Sequence, residues 1–128
     1  MQDSNDDNTN IVHIRQRALE NTYFRQVLVT GKNTQIVIMH IPAGGEIGEE
    51  THNENDQVLY LVSGEGTVYL NGEAYEYETG DIVLVPAGTR HNFVASSDQP
   101  LKIITTYSPP HHPDGTVHKT KAEAEAAG

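Results

Sequence analysis

Between Ile41 and Gly66 the chain reads IPAGGEIGEETHNENDQVLYLVSGEG. Glycines and one proline bracket a polar centre that carries Glu50, His52, Glu54, Asp56 and Gln57. A second glycine-rich corner, GDIVLVPAGTRHNFV, ends on a strand that opens with His91. Carboxylate and amide oxygens and imidazole nitrogens together make a mixed O/N donor set. Such a set suits a divalent first-row ion such as Mn²⁺, Fe²⁺, Ni²⁺ or Zn²⁺. The chain has no cysteine, which removes thiolate metal sites, thiol nucleophiles and disulfides at once. The plainer reading of the first stretch is a solvated acidic loop. Spacing bears on the choice: residues i and i+2 of a strand share a face, about 6.5–7 Å apart, so Glu50 and His52 would point the same way.

The elements that must position these residues read as strands. YFRQVLVTG and TQIVIMHIPAGG flank a Gly-Lys-Asn turn. VLYLVSG passes through Gly64 and Gly66 into TVYL. Asn71-Gly72 then gives a strong hairpin signal, because both positions tolerate a positive φ. EAYEYE is the return strand, and IVLVPAG, HNFVASS and LKIITTYSP follow at turn-punctuated intervals. Short strands at this spacing predict an all-β barrel or sandwich. The segment RQRALEN could form one helical turn. Residues 1–10 and 112–128 read as polar tails, the second with a frayed helical turn at TKAEAEAA, so the predicted domain spans residues 11–111.

Length and charge set outer bounds. At 128 residues the chain is one ordinary domain, long enough to bury a core without staples. Its formal charge of −10 repels phosphate backbones, so nucleic acid is not an expected partner. No stretch reaches the roughly 18–20 apolar residues that span a bilayer, and the first ten residues lack the pattern of a signal peptide. A cytoplasmic protein without membrane contact is expected.

The two glycine-rich corners resemble the motifs of the cupin superfamily. Gly80, Pro86, Gly88 and His91 match the second motif, G-x5-P-x-G-x2-H-x3-N, which ends here on Ala95 instead of Asn. The first motif, G-x5-H-x-H-x3-or-4-E-x6-G, aligns as Gly44-x5-Glu50-x-His52-x4-Gln57-x6-Gly64. A rival register, with His52 first and Glu54 second, would need a glycine where Glu46 stands. The resemblance spans about Tyr23 to Pro109. It implies a single-domain cupin β-barrel (a double-stranded β-helix, or jelly roll) with one divalent metal held by Glu50, His52, Gln57 and His91. Glu50 stands in a histidine place and Gln57 in a glutamate place, so the total ligand charge of −1 is kept.

Two function classes follow from that resemblance. One is a metal-dependent enzyme, of oxidoreductase or isomerase type, on a small oxygenated molecule; dioxygenases, isomerases and lyases all occur in the superfamily. The other is a non-catalytic module that binds a small ligand. Small cupins commonly pair, which implies a homodimer, and IVHI near the N-terminus is a candidate edge strand for that contact. His40 falls by alternation with Ile36, Ile38 and Pro42, a face that could look into the barrel. His111, His112 and His118 read as part of a solvated tail, although the prolines around them limit the backbone.

Overall fold

The computed structural model describes residues 10–127. Most of the tail expected over residues 1–10 therefore lies outside the described residues. Among the described residues helix α1 (Ile14–Glu20) comes first, followed by strands β1 (Arg25–Thr30), β2 (Gln35–Ile41), β3 (Glu50–Thr51), β4 (Asp56–Ser63) and β5 (Glu65–Leu70). Strands β6 (Glu73–Glu78), β7 (Ile82–Val85), β8 (Arg90–Ala95), β9 (Leu101–Ser108) and β10 (Val117–His118) complete the sheets, and helix α2 (Lys121–Ala127) closes the chain. Two antiparallel sheets form, ordered β10-β1-β2-β9-β4-β7 and β3-β8-β5-β6. This is the predicted all-β jelly roll.

Alternation explains the layers. In β9 every second residue, Leu101, Ile103, Thr105 and Tyr107, is buried. Val37, Met39 and Ile41 of β2, Leu59 and Leu61 of β4, and Val68, Tyr77 and Phe93 from the smaller sheet meet them in one core between the sheets. The outer face of the larger sheet is covered by α1, where Ala18 packs with Ile38 and Val62. Tyr77, inside the core, satisfies its hydroxyl by donating to the Leu59 carbonyl at 3.1 Å.

Turn chemistry fixes the corners. Asn71 and Gly72 both adopt positive φ, 52° and 88°, and join β5 to β6 as the sequence predicts. Gly64 is held more tightly. Its φ is 115°, and a Cβ there would overlap the Pro100 carbonyl oxygen.

Four readings of the sequence need correction. IVHI is not an edge strand: residues 11–13 carry no strand pairing, and Ile14 starts α1, which runs two turns because its apolar side closes on the sheet. The stretch 112–128 is not a simple tail. It returns to the barrel, where Val117 and His118 pair with Gln26 and Arg25, and α2 follows. His40 is not on the inner face. The core side of β2 is Gln35, Val37, Met39 and Ile41, and His40 stands half-buried on the other side, opposite Lys102 of β9. Finally, the strand expected to carry both Glu50 and His52 is only two residues long, Glu50–Thr51, and His52 lies just beyond it.

Gly64→Ala is expected to lower the unfolding free energy by roughly 2–4 kcal/mol, since it adds both a strained φ and a backbone overlap. Urea unfolding of the two proteins side by side measures this.

Candidate metal centre

Three short elements bring the chemistry together. Glu50 and His91 are directly opposed in the β3–β8 ladder, and His52 follows β3 by one residue. Gln57 enters from β4, opposite Tyr107 of β9 and Val85 of β7. The ligand atoms of Glu50, His52 and His91 all lie within 4.8 Å of one another. Donors that share one ion at about 2.1 Å lie roughly 3–4 Å apart, so this triangle is close to the required size. Glu54 is exposed and stands outside the triangle, as the preferred register expects.

Each donor is oriented by a second contact. His91 is buried, and its Nδ1 lies 2.9 Å from the Thr89 carbonyl oxygen. A carbonyl only accepts, so Nδ1 carries the proton and Nε2 keeps its lone pair. That Nε2 is buried and has no hydrogen-bond partner. This is how a metal-ligating imidazole is normally prepared. Gln57 is buried as well. Its Nε2 donates to Thr105 Oγ1 at 3.1 Å, which leaves Oε1 buried and without a partner. Buried polar atoms are rarely left unpaired, so two on the proposed ligands point to a group that would satisfy them. His52 Nε2 lies 3.2 Å from Glu50 Oε1. The residues present therefore fit a divalent ion: two imidazoles and a carboxylate in one triangle, with an amide oxygen beside them.

The local charges are shaped by burial. For Glu50, burial alone would raise the pKa. The hydrogen bond from His52 and the nearby charges of His52, Arg25 and His91 outweigh it, and the carboxyl is held below its ordinary value. Burial lowers His91, with a further push from His52, against the raising effects of the Thr89 carbonyl and Glu50. His91 is thus neutral at neutral pH, the form a ligand needs.

Sequence reasoning missed a shell of side chains around the triangle. His111 is not in a solvated tail: its ring lies 4.4 Å from that of His52 and stacks on Tyr107 at 5.3 Å. His112 meets the Tyr107 ring edge-on at 5.0 Å. Burial pushes the Tyr107 hydroxyl pKa up to about 12, against the lowering effect of the nearby Arg25 charge. Arg25 itself is buried, with Nη1 3.3 Å from His118 Nδ1. Two signals were present in the sequence. One was the rigid SPPHHP run, and the other was an arginine inside the apolar strand YFRQVLV.

The chain belongs to the cupin family: residues 37–107 match the family described as a cupin domain. YrkC of Bacillus subtilis (strain 168) is 42% identical over 124 residues, which cover 91% of this chain and 66% of YrkC. The chain thus spans just under two thirds of that relative. The crystal structure of BH2720 from Bacillus halodurans shares 39% identity and a TM-score of 0.88, covering 91% of this chain and 92% of that one. At greater distance, the acireductone dioxygenase of Bacillus cytotoxicus is 31% identical over 64 residues, 46% of this chain and 38% of that protein.

Burial lowers His112 from the ordinary 6.5 to about 3, aided by Arg25, His111 and His118. The unfolded chain therefore takes up a proton below pH 6.5 that the folded chain refuses. Stability of the metal-free protein is expected to fall as pH drops from 6.5 toward 3, and to be insensitive to this group above 6.5. In His112→Gln the fall should be shallower, as read from thermal unfolding across that pH range. Equal slopes for the two proteins would refute it.

Proposed function

We propose that this chain is a mononuclear metal-binding cupin, with Glu50, His52, Gln57 and His91 as ligands, that acts enzymatically on a small oxygenated molecule. The observation that carries the reading is the buried, unpartnered Nε2 of His91, on a ring aligned by the Thr89 carbonyl, in a residue whose ligand atom lies within 4.8 Å of those of Glu50 and His52. A divalent ion held there, Mn²⁺, Fe²⁺, Ni²⁺ or Zn²⁺, supplies Lewis acidity or an O₂ site. The reaction type is of the dioxygenase, isomerase or lyase kind. The partial similarity to an acireductone dioxygenase supports the oxidoreductase member of that set.

The chain's own residues supply the surroundings. His111 and Tyr107 pack against His52 and shield one side of it from water. Thr105 fixes the Gln57 amide, and the Thr89 carbonyl fixes the His91 tautomer. Glu50 is held ionised at neutral pH and its Oε1 accepts a hydrogen bond from His52 Nε2. A second reading, a non-catalytic ligand-binding barrel, is favoured by Gln57, a neutral residue where the family motif has a carboxylate.

Homodimerisation is part of the proposal, through a different surface from the N-terminal one expected. Tyr60 of β4 and Ile82 and Leu84 of the edge strand β7 lie on one face and are 37%, 65% and 59% exposed. An apolar edge strand of this kind calls for cover. The absence of a membrane-length apolar helix among the described residues is consistent with no membrane contact by helices.

Elemental analysis of untagged protein tests the centre. About one ion per chain is expected in the wild type and none in His91→Ala, since losing one of four ligands costs orders of magnitude in affinity. No ion in either protein after incubation with Mn²⁺, Fe²⁺ and Ni²⁺ would sink the metal reading. For the dimer, Leu84→Asp should halve the mass seen by sedimentation equilibrium. An unchanged dimer in that variant rejects the β7 surface.

A further inference from the structure

A cavity of about 600 Å³ opens beside Glu50, walled on the barrel side by Arg25 and Glu50 and on the other by His111, His112, His118 and Lys121. Its size suits a small molecule. Its far wall is the returning C-terminal segment, anchored where His118 pairs with Arg25 across β1 and β10.

Arg25 is the unusual member. It is 6% exposed, and a guanidinium does not shed its proton, so a full positive charge is buried here. Its contacts are neutral. Nη1 reaches His118 Nδ1 at 3.3 Å, the guanidinium lies 5.2 Å from the Phe24 ring centre, and Nε is buried with no partner. Among the described residues no carboxylate oxygen lies within 4.0 Å of it. The carboxylate whose charge it feels is Glu50, and Glu50 Oε1 is turned to His52 at 3.2 Å.

The other charges in the wall are already matched. Glu49 pairs with Arg90 at 2.9 Å, and Lys121 sits 3.8 Å from both Glu46 and Glu125. The unmet charge of the cavity is therefore that of Arg25.

We propose that Arg25 receives the carboxylate of the substrate, so that this protein acts on small carboxylic acids with a neighbouring hydroxyl or carbonyl oxygen. The proposal rests on the metal reading for the neighbouring oxygen, and on Arg25 alone for the carboxylate. A planar guanidinium matches a carboxylate by two parallel hydrogen bonds. A phosphate fits less well. It brings more charge than one arginine balances, into a chain of net charge −10 with Glu49, Glu50 and Glu125 in the same wall. Once Glu50 serves as a ligand to a cation, its charge no longer offsets Arg25. The demand for an external anion then grows.

The test is titration calorimetry with four pairs of probes: glycolate, lactate, pyruvate and 3-hydroxybutyrate, each beside its neutral amide. Mn²⁺-loaded and chelator-stripped protein are titrated in parallel, with metal content measured on both. At least one acid is expected to bind the loaded wild type at least about tenfold more tightly than its amide, because the amide leaves the buried charge unmatched. In Arg25→Gln that preference should collapse to within about twofold while metal content stays at one per chain. Arg25→Lys, which keeps the charge but not the fork, should fall between the two, and it serves if the glutamine variant does not fold. Failure of every acid to bind the wild type, or an acid preference unchanged in both variants, overturns the proposal. The two readings fail separately. An Arg25-dependent acid preference in a protein that holds no metal would remove the metal centre and keep the carboxylate site. One metal per chain with no Arg25 dependence would do the reverse.

Discussion

The site depends on a ladder only two residues long. The pairing of Glu50 with His91 and of Thr51 with Arg90 is what sets a carboxylate from the first glycine-rich corner against an imidazole from the second. Forty residues separate them in sequence, and the closed arrangement of two sheets brings them together. β8 is firmly held on its other side by five register pairs with β5, so His91 is placed by the body of the barrel. Glu50 is placed only by His91's own strand and by the turn that precedes it. That turn is pinned to the smaller sheet through Gly44 N to the Ser96 carbonyl, Ile47 N to the Phe93 carbonyl and Gly48 N to Asn92 Oδ1.

Around this ladder the interior is polar in a controlled way. An apolar core fills most of the space between the sheets, yet at one end Gln57, Thr105, Tyr107, Arg25 and His91 are all buried. Each is tied to at least one neighbour, and the atoms left over are few: Gln57 Oε1, His91 Nε2, Arg25 Nε and His112 Nε2 in this region. Unmade hydrogen bonds in a low-dielectric setting cost free energy. They gather here, at one end of the barrel.

Much of this was legible in the sequence, and the reasons differ by element. Strands β1, β2 and β4–β9 show themselves through alternation or apolar runs, and the Asn71-Gly72 hairpin through its demand for positive φ. The cupin motifs then pointed to Glu50, His52, Gln57 and His91 as candidates, because glycines and a proline at fixed offsets mark corners that few other residues can form, and the structure brings Glu50, His52 and His91 into one cluster. The brevity of β3 was hidden because so short a strand carries no periodicity of its own. The C-terminal return was hidden because β10 is as short, and because a Pro-broken, Ala- and Glu-rich stretch has the composition of a tail. What holds that stretch down is long-range: Gln35 Oε1 accepts from the backbone of both His111 and His112, and Gln35 Nε2 donates to the His112 carbonyl. A buried glutamine in a β-strand gives no hint of its partner far along the chain. α1 was undervalued for a similar reason, since its stability comes from packing on the sheet and it has no side-chain cap at its start.

The brevity of β3 has a consequence for time scales. A strand held by two residue pairs opens far more often than the barrel unfolds, because local opening breaks only its own few hydrogen bonds. Glu50 and His52 ride on that strand and its exit, whereas Gln57 and His91 stand on β4 and β8, each paired on both sides. The candidate ligands therefore divide into a lightly held pair and a firmly held pair. An ion bound among them would be held on one side by the body of the barrel and on the other by a strand that local opening can release.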